Sequence, residues 1–199
     1  MIIGITGGIA SGKSEVCRIL EEQGFYHIDA DDVAHKVLGF PDVIEKITSA
    51  FGNTVLKKDD ESAETSIDRS KLGKIVFNDP VKMEILENIT HPYIVEEIQS
   101  IINNNDNCVI EAIKLVSSGL INICDELWIV AAEPEQQMER LMNNRHLSYH
   151  EAKARLDAQK QHDWDEANAD RIIHSIEPIA SMKAQVLEAL EKSYNSRDL

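Results

Sequence analysis

Eight consecutive residues, Gly7-Gly8-Ile9-Ala10-Ser11-Gly12-Lys13-Ser14, match G-x-x-x-x-G-K-[ST], the pattern of a phosphate-binding loop. Glycine tolerates positive φ, so such a backbone curls and turns several N–H groups toward phosphate oxygens. Lys13 adds a mobile charge for the β- and γ-phosphates of a nucleotide, and the Ser14 hydroxyl is a ligand for Mg²⁺. A helix opening at Lys13 would aim the positive end of its dipole at the same anion. Residues Gly7 to Ser14 are therefore the expected ATP-binding residues, with Lys13 also acting on the phosphoryl group in flight.

A phosphate loop specifies a nucleotide and leaves the reaction open. The chain contains neither N-K-x-D, which reads guanine, nor L-S-G-G-Q, which marks transporter ATPases. The reading that remains is a small-molecule kinase, in which acceptor binding and a mobile lid come from helical insertions. Such an enzyme needs an acid at the acceptor hydroxyl. Asp29 and Asp31 stand at the end of the second predicted strand, the edge where α/β sheets hold their ligands. A carboxylate there orients the hydroxyl and takes its proton as the phosphoryl group leaves ATP. Asp31 is the candidate base and Asp29 the orienter, or the cap of a helix beginning near Asp32. Glu111 closes the strand that starts at Cys108 and is placed to hold the hydration shell of magnesium; a hydrogen-bonded strand-end acid fits equally well. Arg140 and Arg145 precede a capping-box helix, where they can close over ATP and offset charge that develops during transfer, or lie solvated. His91, His162 and His174 lack metal-ligand spacing, so no zinc site is expected.

The elements that must position these groups follow from short apolar runs alternating with helical patterns, the mark of a parallel α/β sheet. Strands are predicted at Ile2–Thr6, Phe25–Ile28, Cys108–Ala112, Leu127–Ala131 and Arg171–Ile173. The first helix is predicted over Lys13–Gln23, stopped by Gly24. Asp68 and Asp79-Pro80 look like helix starts, and Pro92, after His91, should break or kink the helix around it. Lys57 to Ser66 reads as an exposed loop. Ser148-x-x-Glu151 is a capping box, Glu133-Pro134 opens the helix of Arg140, and Pro178–Lys192 is a closing helix. The expected fold is a five-stranded α/β core with two helical insertions.

With 199 residues the chain suits one decorated domain, and 35 Asp and Glu against 20 Lys and Arg give a net charge of −15. That surface repels nucleic-acid backbones and anionic lipid, so any bound polyanion must be met by a local field. No apolar run approaches membrane-spanning length, and three cysteines without C-x-x-C spacing fit reduced thiols in a cytoplasmic protein.

These motifs together resemble the dephospho-CoA kinases. Thr6 to Ser14 is similar to that family's T-G-G-I-x-S-G-K-S, and Ile28-Asp29-Ala30-Asp31 to its I-D-A-D. Phe51-Gly52, Asp68-Arg69, Ile75-Val76-Phe77, Leu86 through His91-Pro92, Ser118-Gly119-Leu120, Leu147-Ser148, Glu151-Ala152, Arg155, Gln159 and Ala169-Asp170 recur in the family's order. The resemblance implies a P-loop kinase-like three-layer core with a five-stranded parallel sheet, made of residues 1–30, 104–139 and 169–199. It further implies a helical acceptor region over 31–103 and a lid over 140–168. On the same basis it implies Mg²⁺, the substrates ATP and dephospho-CoA, a base at Asp31, and His91 facing the acceptor, in a monomer or weak homo-oligomer. The chain departs from the family at Glu111, where Asp is usual, at 113–117, and at His35, Asn144, His162 and His174-Ser175-Ile176. Another P-loop kinase, or a regulatory homologue that binds nucleotide without turnover, is the alternative.

Overall fold

A computed structural model describes residues 1–57, 66–158 and 165–197; most of the polar stretch 57–66, together with Gln159 and His162 of the expected lid, lies outside them. The described chain groups into two compact units, Met1–Asp29 with Asn104–Leu199, and Ala30–Asn103.

The first unit is a parallel sheet of five strands, β1 (Ile2–Thr6), β2 (Tyr26–Asp29), β3 (Cys108–Glu111), β4 (Glu126–Ala131) and β5 (Arg171–His174), in the order β2-β3-β1-β4-β5. Strand period decides which side chains meet which layer. Ile3 and Ile5 of β1 are fully buried in a cluster with Val109, Trp128, Val130 and Ile173, covered by Val16, Ile19 and Leu20 of helix α1 (Lys13–Glu21) and by Met182, Val186 and Leu190 of the last helix. Gly4, between them, faces the opposite layer, where a Cβ would come 2.7 Å from Leu115 Cδ2. Register carries the functional ends: Ile5 of β1 and Asp29 of β2 both pair with Glu111 of β3. The carboxyl edges of β1, β2 and β3 thus converge on one carboxylate.

The second unit is helical: α2 (Ala30–Val37), α3 (Pro41–Phe51), α4 (Arg69–Val76) and α5 (Pro80–Ile102), with α5 packed against the other three. Asp68 caps α4, accepting from Ser70 N and Lys71 N, and Asp79 caps α5, accepting from Lys82 N, as their residue types predict. The helix at Asp31 opens earlier than expected, at Ala30, so Asp31 lies in the first turn of α2 and not at a strand end. Pro92 does not break α5, which runs unbroken through it. The missing N–H leaves only the Asn88 carbonyl without its helical donor, and Thr90 Oγ1 donates to Leu86 O at 2.9 Å one turn earlier. The packing of α5 on three helices outweighs that local loss.

In the first unit α6 (Pro134–Arg145), α7 (Tyr149–Ala158) and α8 (Ile179–Arg197) complete the chain. The capping box is formed: Ser148 Oγ accepts from Glu151 N, and Glu151 Oε2 accepts from Ser148 N at 2.9 Å. The predicted boundaries differ at ends that fray: α1 stops at Glu21 and α8 extends to Arg197. No helix among the described residues is long and apolar enough to cross a membrane.

Far from the loop, Glu126 at the start of β4 is 9% exposed, and its Oε2 accepts from Trp128 Nε1 at 2.8 Å and from Ser193 Oγ at 2.6 Å. This carboxylate ties β4 to α8. Glu126→Ala would strand the indole donor in the core, at a cost of about 2–3 kcal/mol. Denaturant unfolding followed by tryptophan fluorescence should show the midpoint drop accordingly; an unchanged midpoint would show that α8 is held by apolar packing alone.

Candidate functional site

The loop between β1 and α1 is shaped by three positive φ angles, +151° at Gly7, +56° at Ala10 and +101° at Gly12. Two of the glycines are also required by space. A Cβ at Gly7 would fall 2.4 Å from the Val130 carbonyl oxygen, and one at Gly12 would fall 2.7 Å from Ser175 Oγ. The turn is closed by Ser11 N donating to Gly8 O at 3.2 Å, and α1 starts directly behind it at Lys13. The helix dipole is therefore directed at the loop.

Lys13 is 7% exposed, and its Nζ donates to the carbonyls of Gly7 at 3.0 Å and Gly8 at 2.9 Å. The lysine is folded onto its own loop. Ser14 is exposed, and its Oγ donates to Glu111 Oε1 at 3.1 Å. Two hard oxygen donors thus stand side by side at the mouth of the loop, a pair that suits Mg²⁺.

Glu111 has a second neighbour. His27 Nε2 lies 3.2 Å from Glu111 Oε2, yet the two atoms, both buried, do not align as a hydrogen bond. Burial pushes the Glu111 carboxyl up, but His27, Lys13 and Ser14 together outweigh it and hold it below the usual carboxylate range. The Glu111 carboxylate in turn raises His27 against desolvation. Cys17, one turn along α1 from Ser14, is buried beside them; desolvation first, then Glu111, push its thiol well up.

Arg140 of α6 braces the loop from outside. Its NH1 donates to Ala10 O at 3.2 Å, to Ser11 O at 3.3 Å and to Ser175 Oγ at 2.8 Å. Ser175 follows β5 directly, is 2% exposed, and donates its N–H to Ala131 O at 2.7 Å. One arginine thus links the loop, α6 and the end of β5. Arg145 is exposed at the last position of α6.

The fold accordingly brings Gly7–Ser14, Glu111, Arg140 and Asp29 to one end of the sheet. Asp31, exposed in α2, and His91, half-buried in α5, belong to the helical unit. Sequence reasoning missed His27, Cys17 and Ser175. Strand alternation already puts His27 and Asp29 on one face of β2, but nothing local marks Ser175, whose role exists only once β5 lies beside the loop.

Comparison with known proteins bears on this arrangement. Residues 1–180 match a family model described as dephospho-CoA kinase. A dephospho-CoA kinase of Carboxydothermus hydrogenoformans is 40% identical over 198 residues, covering 96% of this chain and 93% of that one. The crystal structure of TT1252 from Thermus thermophilus superposes with a TM-score of 0.82 at 26% identity, covering 97% of both chains. A dephospho-CoA kinase structure from Campylobacter jejuni gives 0.59 at 29% identity over 96% of each.

Gly12 and Gly24 both have positive φ, but a Cβ added at Gly12 would meet Ser175 Oγ at 2.7 Å, whereas one added at Gly24 would meet nothing within 4 Å. Gly24→Ala should therefore cost the left-handed backbone penalty alone, about 1–2 kcal/mol. Gly12→Ala should cost measurably more, because Ser175 Oγ, 2.7 Å from the added carbon, must also move. Thermal melts of the two nucleotide-free variants compare them directly, and equal losses would show that the loop tolerates displacement of its brace.

Proposed function

The chain belongs to the dephospho-CoA kinase family, and we propose that it moves the γ-phosphoryl group of ATP to the ribose 3′-hydroxyl of dephospho-CoA. The single observation that carries the site assignment is the cradle in which Lys13, Ser14 and Glu111 meet behind a loop of three positive φ angles. Backbone amides of Gly7 to Ser14 and Lys13 hold the triphosphate, Lys13 exchanging the Gly7 and Gly8 carbonyls for phosphate oxygens. Ser14 and Glu111 would hold Mg²⁺, Glu111 through its hydration shell, and the ion would supply positive charge against the β- and γ-phosphates.

Asp31 takes the proton of the acceptor hydroxyl, and Asp29 and His91 help seat the acceptor. Exposure of Asp31 in the first turn of α2 supports a carboxylate that substrate can reach. Arg140 steadies the loop and from there offsets charge that builds on the transferred group; Arg145 contributes when the lid closes. A net charge of −15 supports a cytoplasmic, membrane-free setting for the reaction, since it disfavours anionic surfaces.

Coupled ADP release tests the acceptor: dephospho-CoA should support turnover and nucleoside monophosphates should not, with the product phosphorylated at the 3′ position. Turnover on a nucleoside monophosphate alone would replace this acceptor with another, and ATP binding without ADP release on any acceptor would make the chain a regulatory binder. Lys13→Met should abolish turnover with the fold intact by circular dichroism. Asp31→Asn should lower kcat about 10²–10⁴-fold while the KM for ATP holds. A change confined to ATP affinity would remove Asp31 from the role of base.

A further inference from the structure

The phosphate cradle uses only one oxygen of Glu111. Oε1 receives the Ser14 hydroxyl, whereas Oε2 faces away from it, toward His27 at 3.2 Å. Cys17 completes this second side: a Cys17 sulfur, a His27 nitrogen and a Glu111 oxygen all lie within 4.8 Å of one another. They arrive from three elements, α1, β2 and β3, and two of them, His27 Nε2 and Glu111 Oε2, are buried polar atoms without an aligned hydrogen bond. Buried polar atoms are satisfied in the great majority of native structures, and an ion is one way of satisfying them.

We propose that Cys17, His27 and Glu111 form a binding site for a borderline-soft divalent cation of the Zn²⁺ class. The donor set selects that class: a thiolate and an imidazole reject Mg²⁺ and Ca²⁺ and favour zinc, with one carboxylate as the third ligand. Metal–nitrogen and metal–oxygen bonds of about 2.0–2.2 Å at tetrahedral angles require ligand atoms about 3.3–3.5 Å apart. The observed 3.2 Å between His27 Nε2 and Glu111 Oε2 is close to that edge. Sulfur needs a slightly longer edge, which a side-chain shift of about 1 Å from the 4.8 Å limit supplies.

The opposite face of the imidazole supports the same reading. His27 Nδ1 looks toward Glu21 Oε1 at 4.0 Å, an outer carboxylate of the kind that orients a metal-bound histidine. On binding, the Cys17 S–H bond breaks, the proton leaves to solvent, and the sulfur pair forms the bond to the ion. Glu111 then serves two ions with two oxygens, Zn²⁺ on Oε2 and the Ser14 side on Oε1. The site itself does not depend on which acceptor the enzyme uses.

Titration of the full chain with Co²⁺, a coloured stand-in for zinc, tests the proposal. One equivalent should produce a near-ultraviolet thiolate-to-cobalt charge-transfer band together with the strong visible bands of four-coordinate cobalt, and added Zn²⁺ should bleach both. The bands should persist in the Cys108→Ala/Cys124→Ala double variant and vanish in Cys17→Ala. Because Cys17 is packed in the core, His27→Gln at a half-buried position is the second variant, expected to bind Co²⁺ at least about tenfold more weakly. Absence of the charge-transfer band in the natural chain, its survival in Cys17→Ala, or unchanged cobalt affinity in His27→Gln would each overturn the site.

Discussion

A chain carrying fifteen surplus negative charges has to hold a polyanion, and the curl of backbone between β1 and α1 is the constraint that makes this possible. Fixed peptide dipoles and a helix end provide positive potential without adding net charge. The curl survives only because side chains are kept out of it. Val130 approaches Gly7 from β4, Ser175 approaches Gly12 from beyond β5, and Gln137 of α6 approaches Gly8. The loop is therefore shaped by β4, by the end of β5 and by α6, although its residues are contiguous in the chain.

The strand order explains why chemistry collects at this place. β1 lies between β3 and β4, so the loop at its carboxyl end is flanked by Glu111 on one side and by the end of β4 on the other. The chain that leaves α1 must pass over β3 to reach β2, and Asp29 arrives next to Glu111 in the same register. A one-residue slip of β2 would turn His27 and Asp29 to the other face and bring Tyr26 and Ile28 in their place. The apolar burial of Ile28 and Phe25 forbids that slip.

Much of this was open to reading from the residues. The loop, the strand before it and the helix after it announce themselves by glycine spacing and an apolar run, and Asp68, Asp79 and Ser148 mark their helices because capping is a local interaction. Two kinds of feature stayed hidden. Pro92 inside α5 is a local rule overridden by tertiary packing. Ser175, Gln137 and the Cys17–His27 neighbourhood are encounters between segments far apart in sequence, and only the sheet order specifies them. Arg140 shows the boundary between these cases. Its type suggests anion work, whereas its observed partners are two loop carbonyls and a hydroxyl.

Lys13 deserves a last physical consequence. Because its ammonium already donates to two carbonyls of its own loop, an anion that recruits those same N–H groups must replace both carbonyls as acceptors. A compact anion that replaced both carbonyls would exchange two hydrogen bonds for contact with a single charge. A nucleotide tail repays the same exchange with several oxygens spread along the curl. The curl, with its donors spread along the chain, is thus matched in length to an extended polyanion.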